Sequence, residues 1–196
     1  MDEVLDSVGE GGADLVGRRI GAEFRGIDGD FGLVGLQDLR ADTVLALDCA
    51  YHFGCRGEFI VQAGQLLAPG GRLGLTDILL ARPRLGTMEQ LALRAVARLS
   101  HLPAVNLQTA EAYRATWQSA GFEIETFEDI TDQVFQPFGD WLARYRAQLD
   151  PALERRIGWT KYRVTAAFLR WAAQQDVLRY VVCVGRRRGP GVRSGP

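Results

Sequence analysis

The stretch Leu45–Ile78, "LALDCAYHFGCRGEFIVQAGQLLAPGGRLGLTDI", narrows the possible folds more than any other part of the chain. Val44–Leu47 is apolar and too short for a helix, as a strand buried on both faces should be. Gly57–Leu67 carries Phe59, Ile60, Ala63, Leu66 and Leu67 at helical spacing. The "APGG" that follows cannot continue a helix and predicts a turn. Arg72–Ile78 is a second apolar run. Strand, helix and strand in this order form a βαβ unit, which joins parallel strands by a crossover.

The rest of the chain continues the alternation. Thr87–Leu99 reads as a helix with Leu91, Ala95 and Leu99 on one face. Thr109 is placed to cap a helix over Ala110–Ala120, and Gly121 to end it in the left-handed conformation. Phe122–Phe127 reads as a strand, Phe138–Leu149 and Lys161–Gln174 as helices, and Val177–Gly185 as a final strand. The two late strands would lie at one edge of the sheet. The fold class is α/β: a doubly wound, mostly parallel sheet flanked by helices. Residues 1–187 form one domain, and the Gly/Pro-rich residues 188–196 a disordered tail.

Composition removes several function classes. A net charge of -1 argues against a nucleic-acid binder. No apolar run approaches the ~20 residues of a membrane span. The first residues, "MDEVLDSVGEGG", lack the basic-then-apolar order of a signal peptide. Cys49, Cys55 and Cys183 are odd in number and lack CxxC spacing, which speaks against a disulfide framework or a zinc site and for a reduced, cytoplasmic protein. The pattern fixes no oligomeric state.

The ordered combination "VLALDCAYHF", "FIVQAGQLLAPGGRLGLTDI", "YRATWQSAGFEIETFEDIT" and "LRYVVCVGRR" resembles class I S-adenosylmethionine-dependent methyltransferases, in particular the small-molecule branch related to sterol and tocopherol methyltransferases. The resemblance covers roughly residues 41–187. It implies a Rossmann-like methyltransferase fold with an antiparallel last strand, S-adenosylmethionine as cofactor, and methyl transfer to a small organic acceptor. Ligands of such sheets bind outside the carboxyl ends of the strands.

The front of the chain fits that pattern less well. "VLDSVGEGGADL" resembles the family's glycine-rich first motif through Asp6, Gly9, Gly11 and Gly12, with Ser7 or Val8 where its first glycine belongs. Glycines are needed there so that backbone can approach the ligand closely. A plain acidic, glycine-rich segment is the alternative. In "GAEFRGIDGDF", Asp28 resembles the acid that holds the ribose, while Asp30 resembles the acid near the adenine in the next strand. Too few residues separate Asp28 from Asp48 for the family's full set of elements, so one strand-helix unit is missing. This leads to a second reading, a shortened and catalytically impaired methyltransferase-like domain that binds the cofactor weakly or not at all and acts as an interaction module.

The resemblance assigns candidate roles. Asp48, at a strand end, would face the cofactor's methyl-sulfonium region or cap a turn, and Asp77 has the same ambiguity. His52 is one of two histidines and would accept a proton from the acceptor. Tyr51 and Phe53 would shape the acceptor pocket. Trp141 and Trp159 fall where the family builds a lid. His101 is expected at a helix carboxyl end. A nicotinamide-dependent dehydrogenase is disfavoured, because no intact GxGxxG follows a strand and Ile157 stands four residues before the only lysine, Lys161.

Overall fold

The computed structural model describes residues 40–149 and 159–189. Asp6, Gly9, Gly11, Gly12, Asp28 and Asp30 lie outside the described residues, as does the tail from residue 190. The described elements are β1 (Ala41–Ala46), a 3-10 turn (Ala50–His52), α1 (Arg56–Leu66), β2 (Leu67–Leu80), α2 (Thr87–Leu99), a second 3-10 turn (Ala104–Asn106), α3 (Ala110–Ser119), β3 (Phe122–Asp129), α4 (Thr131–Ala147), α5 (Trp159–Gln174) and β4 (Leu178–Arg187).

The four strands form one sheet in the order β1-β2-β4-β3. β1 and β2 are parallel, as the βαβ pattern requires, and β4 runs antiparallel to both β2 and β3. The last strand therefore lies inside the sheet, between β2 and β3, and β3 forms the edge. Side chains alternate between the faces of a strand. Leu73, Leu75, Val181 and Cys183 pack on one face with Phe59, Ile60, Tyr113 and Trp117 of α1 and α3. Ile78, Leu178 and Tyr180 pack on the other with Leu93, Phe135 and Phe168 of α2, α4 and α5. Both faces are covered, which is the doubly wound arrangement.

Several boundaries differ from the sequence expectation for physical reasons. "APGG" is a bulge inside β2, not a turn before it: Ala41 pairs with Leu67 but Thr43 pairs with Arg72. One residue of β1, Asp42, thus lies opposite the four residues Ala68–Gly71 of β2. Pro69, with no N–H to give the ladder, and Gly70, at φ 81, belong to the looped-out part. α4 starts at Thr131, seven residues before the expected Phe138, and carries Pro137 within it. The Asp129 carboxylate accepts from the Thr131 amide at 2.9 Å, so the amino end is held despite the proline.

β1 is not buried on both faces: Leu45 is 47% and Leu47 61% exposed. It forms the other edge of the described sheet. On α2 the buried residues are Leu93 and Ala97, whereas Leu91 and Leu99 are exposed, so the inward face is rotated from the expected one. The ends of α3 match expectation. The Thr109 hydroxyl accepts from the Ala112 amide, and Gly121 has φ 85. The Arg188 amide donates to the Gly121 carbonyl at 3.0 Å, which pins the chain one residue past β4.

Candidate active site

Residues of three strands meet where β1 stops. Asp48 follows β1 in the left-handed region, at φ 58. Its amide donates to Thr76 Oγ1 of β2 at 2.7 Å. Its carboxylate oxygen Oδ1 accepts from the Tyr51 hydroxyl at 2.5 Å and from the Tyr180 hydroxyl of β4 at 2.8 Å. The Tyr180 oxygen also lies 3.0 Å from Thr76 Oγ1. One carboxylate is thus fixed by two tyrosines from opposite ends of the chain, with short bonds of the charge-assisted kind. Burial and the Asp48 charge push both phenols well above their ordinary pKa, so both remain hydrogen-bond donors.

His52 stands on the turn between β1 and α1. Its Nδ1 lies 3.4 Å from the carbonyl oxygen of His101, just past α2. Burial lowers its pKa below 6.5; the His101 carbonyl and the Asp48 charge oppose that shift, and Lys161 adds to it. The neutral imidazole is therefore favoured in the fold. The unfolded ring takes up its proton more readily, so the stability that comes with neutral His52 is complete above pH 6.5 and is lost as pH falls through the lower folded value. Urea melts should show a lower midpoint below pH 6.5 than above it, and His52→Gln should shrink that difference.

Asp48, Tyr51, His52 and Tyr180 line a cavity of about 270 Å³ whose remaining wall is mostly apolar, including Phe135 and Phe168. Three expected site residues, Asp48, Tyr51 and His52, come together. Phe53 does not join them. It packs into the core with its ring 4.7 Å from that of Phe59, because the turn carries it away from the cavity. Trp141 is 50% exposed and stacks on Tyr145 at 5.1 Å, while Phe138 one turn earlier lines the cavity in its place.

Asp77 is also no ligand residue. It is fully buried and paired with Arg56 Nη1 at 2.6 Å. Burial pushes its carboxyl up, against the pull of Arg56 and the Ile78 amide. Arg56 donates further to the Asn106 carbonyl at 2.8 Å, and its guanidinium lies 4.6 Å from the centre of the Tyr113 ring. Arg56, Thr76, Asn106 and Tyr180 were not singled out in the sequence. The signal for the first existed: Asp77 is the lone charge in "LGLTDILL", and an acid inside a buried strand needs a cation nearby.

The described residues have the fold of class I S-adenosylmethionine-dependent methyltransferases, and the chain is related to proteins of that class. It is 30% identical over 150 residues to the 27-O-demethylrifamycin SV methyltransferase of Amycolatopsis mediterranei, a match covering 76% of this chain and 54% of that protein. It is 31% identical over 107 residues to the erythromycin 3''-O-methyltransferase of Saccharopolyspora erythraea, covering 53% of this chain and 35% of that one. The chain thus matches about half the length of the first relative and a third of the second. No protein-family model matches. Among solved structures, a cyclopropane synthase from Mycobacterium tuberculosis aligns with TM-score 0.61 at 15% identity, over 89% of this chain and 66% of its own. The phosphoethanolamine N-methyltransferase 2 of Haemonchus contortus, in complex with S-adenosyl-L-methionine, aligns with TM-score 0.58 at 15% identity, over 76% and 33%.

Proposed function

We propose that this chain takes part in S-adenosylmethionine-dependent methyl transfer to a hydroxyl group of a small organic acceptor. The observation that carries the reading is the meeting of His52, Tyr51 and the doubly bonded Asp48 carboxylate on one largely apolar cavity at the carboxyl ends of the parallel strands. The likeness to two methyltransferases whose names give a rifamycin and an erythromycin acceptor supports it.

The residues fit the cofactor where they can be tested. A fixed carboxylate beyond a strand end is a suitable neighbour for a cationic sulfonium, and Asp48 would provide it. When bound, S-adenosylmethionine supplies an electrophilic methyl group. Asp6, Gly9, Gly11, Gly12 and one of Asp28 and Asp30 are the further candidates to hold it. The apolar wall takes up the acceptor and excludes water. His52 accepts the proton that the acceptor hydroxyl gives up, and its neutral state leaves it free to do so. The protein's main contribution is to hold the reactants close and aligned. The free thiols of Cys49, Cys55 and Cys183 support work in the reducing cytoplasm.

The test has two parts. Calorimetry of the purified chain with S-adenosylmethionine should give a micromolar dissociation constant; no binding would favour the impaired, non-enzymatic reading. With labelled cofactor and 27-O-demethylrifamycin SV as the probe acceptor, His52→Ala should slow transfer by roughly a hundredfold, the low end of general-base effects. Unchanged turnover would reject the base role.

A further inference from the structure

The residues between α2 and α3 reach back to the turn that carries His52. We infer that Asn106 is a positioning residue for His52, and that with the His101 carbonyl it holds the imidazole as the Nδ1–H tautomer. The inference rests on the reading of His52 as the proton acceptor, and deepens it.

Asn106 is buried, and its side chain is fully engaged. Oδ1 accepts from the Arg56 amide at 3.0 Å. Nδ2 donates to the carbonyl oxygens of Tyr51 at 3.2 Å and of Phe53 at 2.6 Å. Those two carbonyls belong to the residues immediately before and after His52. One amide therefore fixes the backbone on both sides of the histidine. Asn106 is itself anchored, since its own carbonyl accepts from Arg56 Nη2. No other small side chain does this work: an aspartate offers no donor to two carbonyls, and a leucine offers neither donor nor acceptor.

The ring is oriented from the same segment. His101 has φ 52, the left-handed conformation, right after the end of α2, and its carbonyl oxygen faces His52 Nδ1. A carbonyl can only accept, so this contact calls for a hydrogen on Nδ1. A neutral imidazole carries one N–H, which leaves Nε2 with its lone pair. At 3.4 Å the bond is long, so by itself it holds the ring weakly; the fixed backbone is what keeps the two groups in reach. The charged and polar side chains sharing the cavity with the ring are Asp48 and Tyr51 on its own segment, Ser100 of the α2 end, Lys161, Tyr162 and Thr165 of α5, and Tyr180 of β4.

Long-range proton–nitrogen correlation spectra of the full chain read the tautomer directly, and two histidines make assignment simple: His101→Gln removes one ring and keeps the carbonyl. Above pH 7, wild-type His52 is expected to show a protonated Nδ1 and an unprotonated Nε2. In Asn106→Ala the Nδ1–H population should fall by at least half; Asn106→Ser serves as the second variant. The inference is overturned by wild-type His52 protonated on Nε2, or by a folded Asn106 variant with the wild-type tautomer. It is also overturned if both variants lose the fold by circular dichroism, which would make Asn106 structural only. Turnover is not the readout. His52→Ala with unchanged methyl transfer would reject the base role while leaving the tautomer result standing.

Discussion

Arg56→Ala is expected to cost about 3–5 kcal/mol, a large share of the about 5–15 kcal/mol that holds a typical domain folded. The side chain is 1% exposed and its partner Asp77 is not exposed at all. Taking away the guanidinium leaves a buried carboxylate with the Ile78 amide as its remaining donor. It also removes the donors to the carbonyls of Ile78 and Asn106. Asp77→Ala should cost about as much, because it buries an unmatched guanidinium. The pair itself need not be strongly stabilising, since desolvation of two charges offsets most of their attraction. Arg56→Met combined with Asp77→Leu should therefore be more stable than either alanine variant, and still weaker than wild type because the Asn106 and Ile78 carbonyls lose a donor. Urea unfolding followed by far-UV circular dichroism measures all four proteins. A double variant no more stable than Arg56→Ala would contradict this account.

The same pair shows what the sequence could and could not convey. The βαβ unit, the α3 cap and the Gly121 stop were legible because each depends on residues close in sequence: an apolar period, a hydroxyl three residues from its donor, a glycine at a left-handed site. The site was half legible. Asp48, Tyr51 and His52 sit within five residues of one another beyond a strand, and that placement alone brings them to the strand end. Tyr180 closes the network from 132 residues away, and only the antiparallel insertion of β4 beside β2 carries it there. Phe53 reads as a pocket residue, and Asp77 stays open between ligand and turn cap, because composition near a strand end cannot tell inward from outward. The 3-10 turn over Ala50–His52, after which Phe53 is extended, decides which ring meets the cavity, and an arginine 21 residues away decides that Asp77 faces a partner. The inward face of α2 was misjudged for a related reason. Leu91 and Leu99 are as apolar as Leu93, and the choice among them is made by what α5 and β4 present.

Trp117→Ala is the second large effect, at about 3–5 kcal/mol. Trp117 lies on α3 with no exposed surface, edge-on to Phe122 at 5.3 Å and to Tyr113 at 6.0 Å. Its six-membered ring rests on the backbone of Gly185 in β4, where an added Cβ would come within 2.8 Å of both Cε3 and Cζ3. The indole fills the space that a side chain at position 185 would otherwise take. Two consequences follow from this one contact. The cavity left by alanine has a sheet for its floor, and a hydrogen-bonded strand collapses poorly, so the cost belongs in the upper part of the range. Gly185→Ala alone should destabilise by about 1–3 kcal/mol, because a rigid ring cannot give way to the new methyl group. Together the two changes must be less than additive: in Trp117→Ala the methyl group of Ala at position 185 meets empty space and recovers some packing. Chemical denaturation of the two single variants and the double variant tests this. A double variant that loses the full sum of the single losses would mean that Trp117 is held by Tyr113 and Phe122 alone and that the glycine beneath it is incidental.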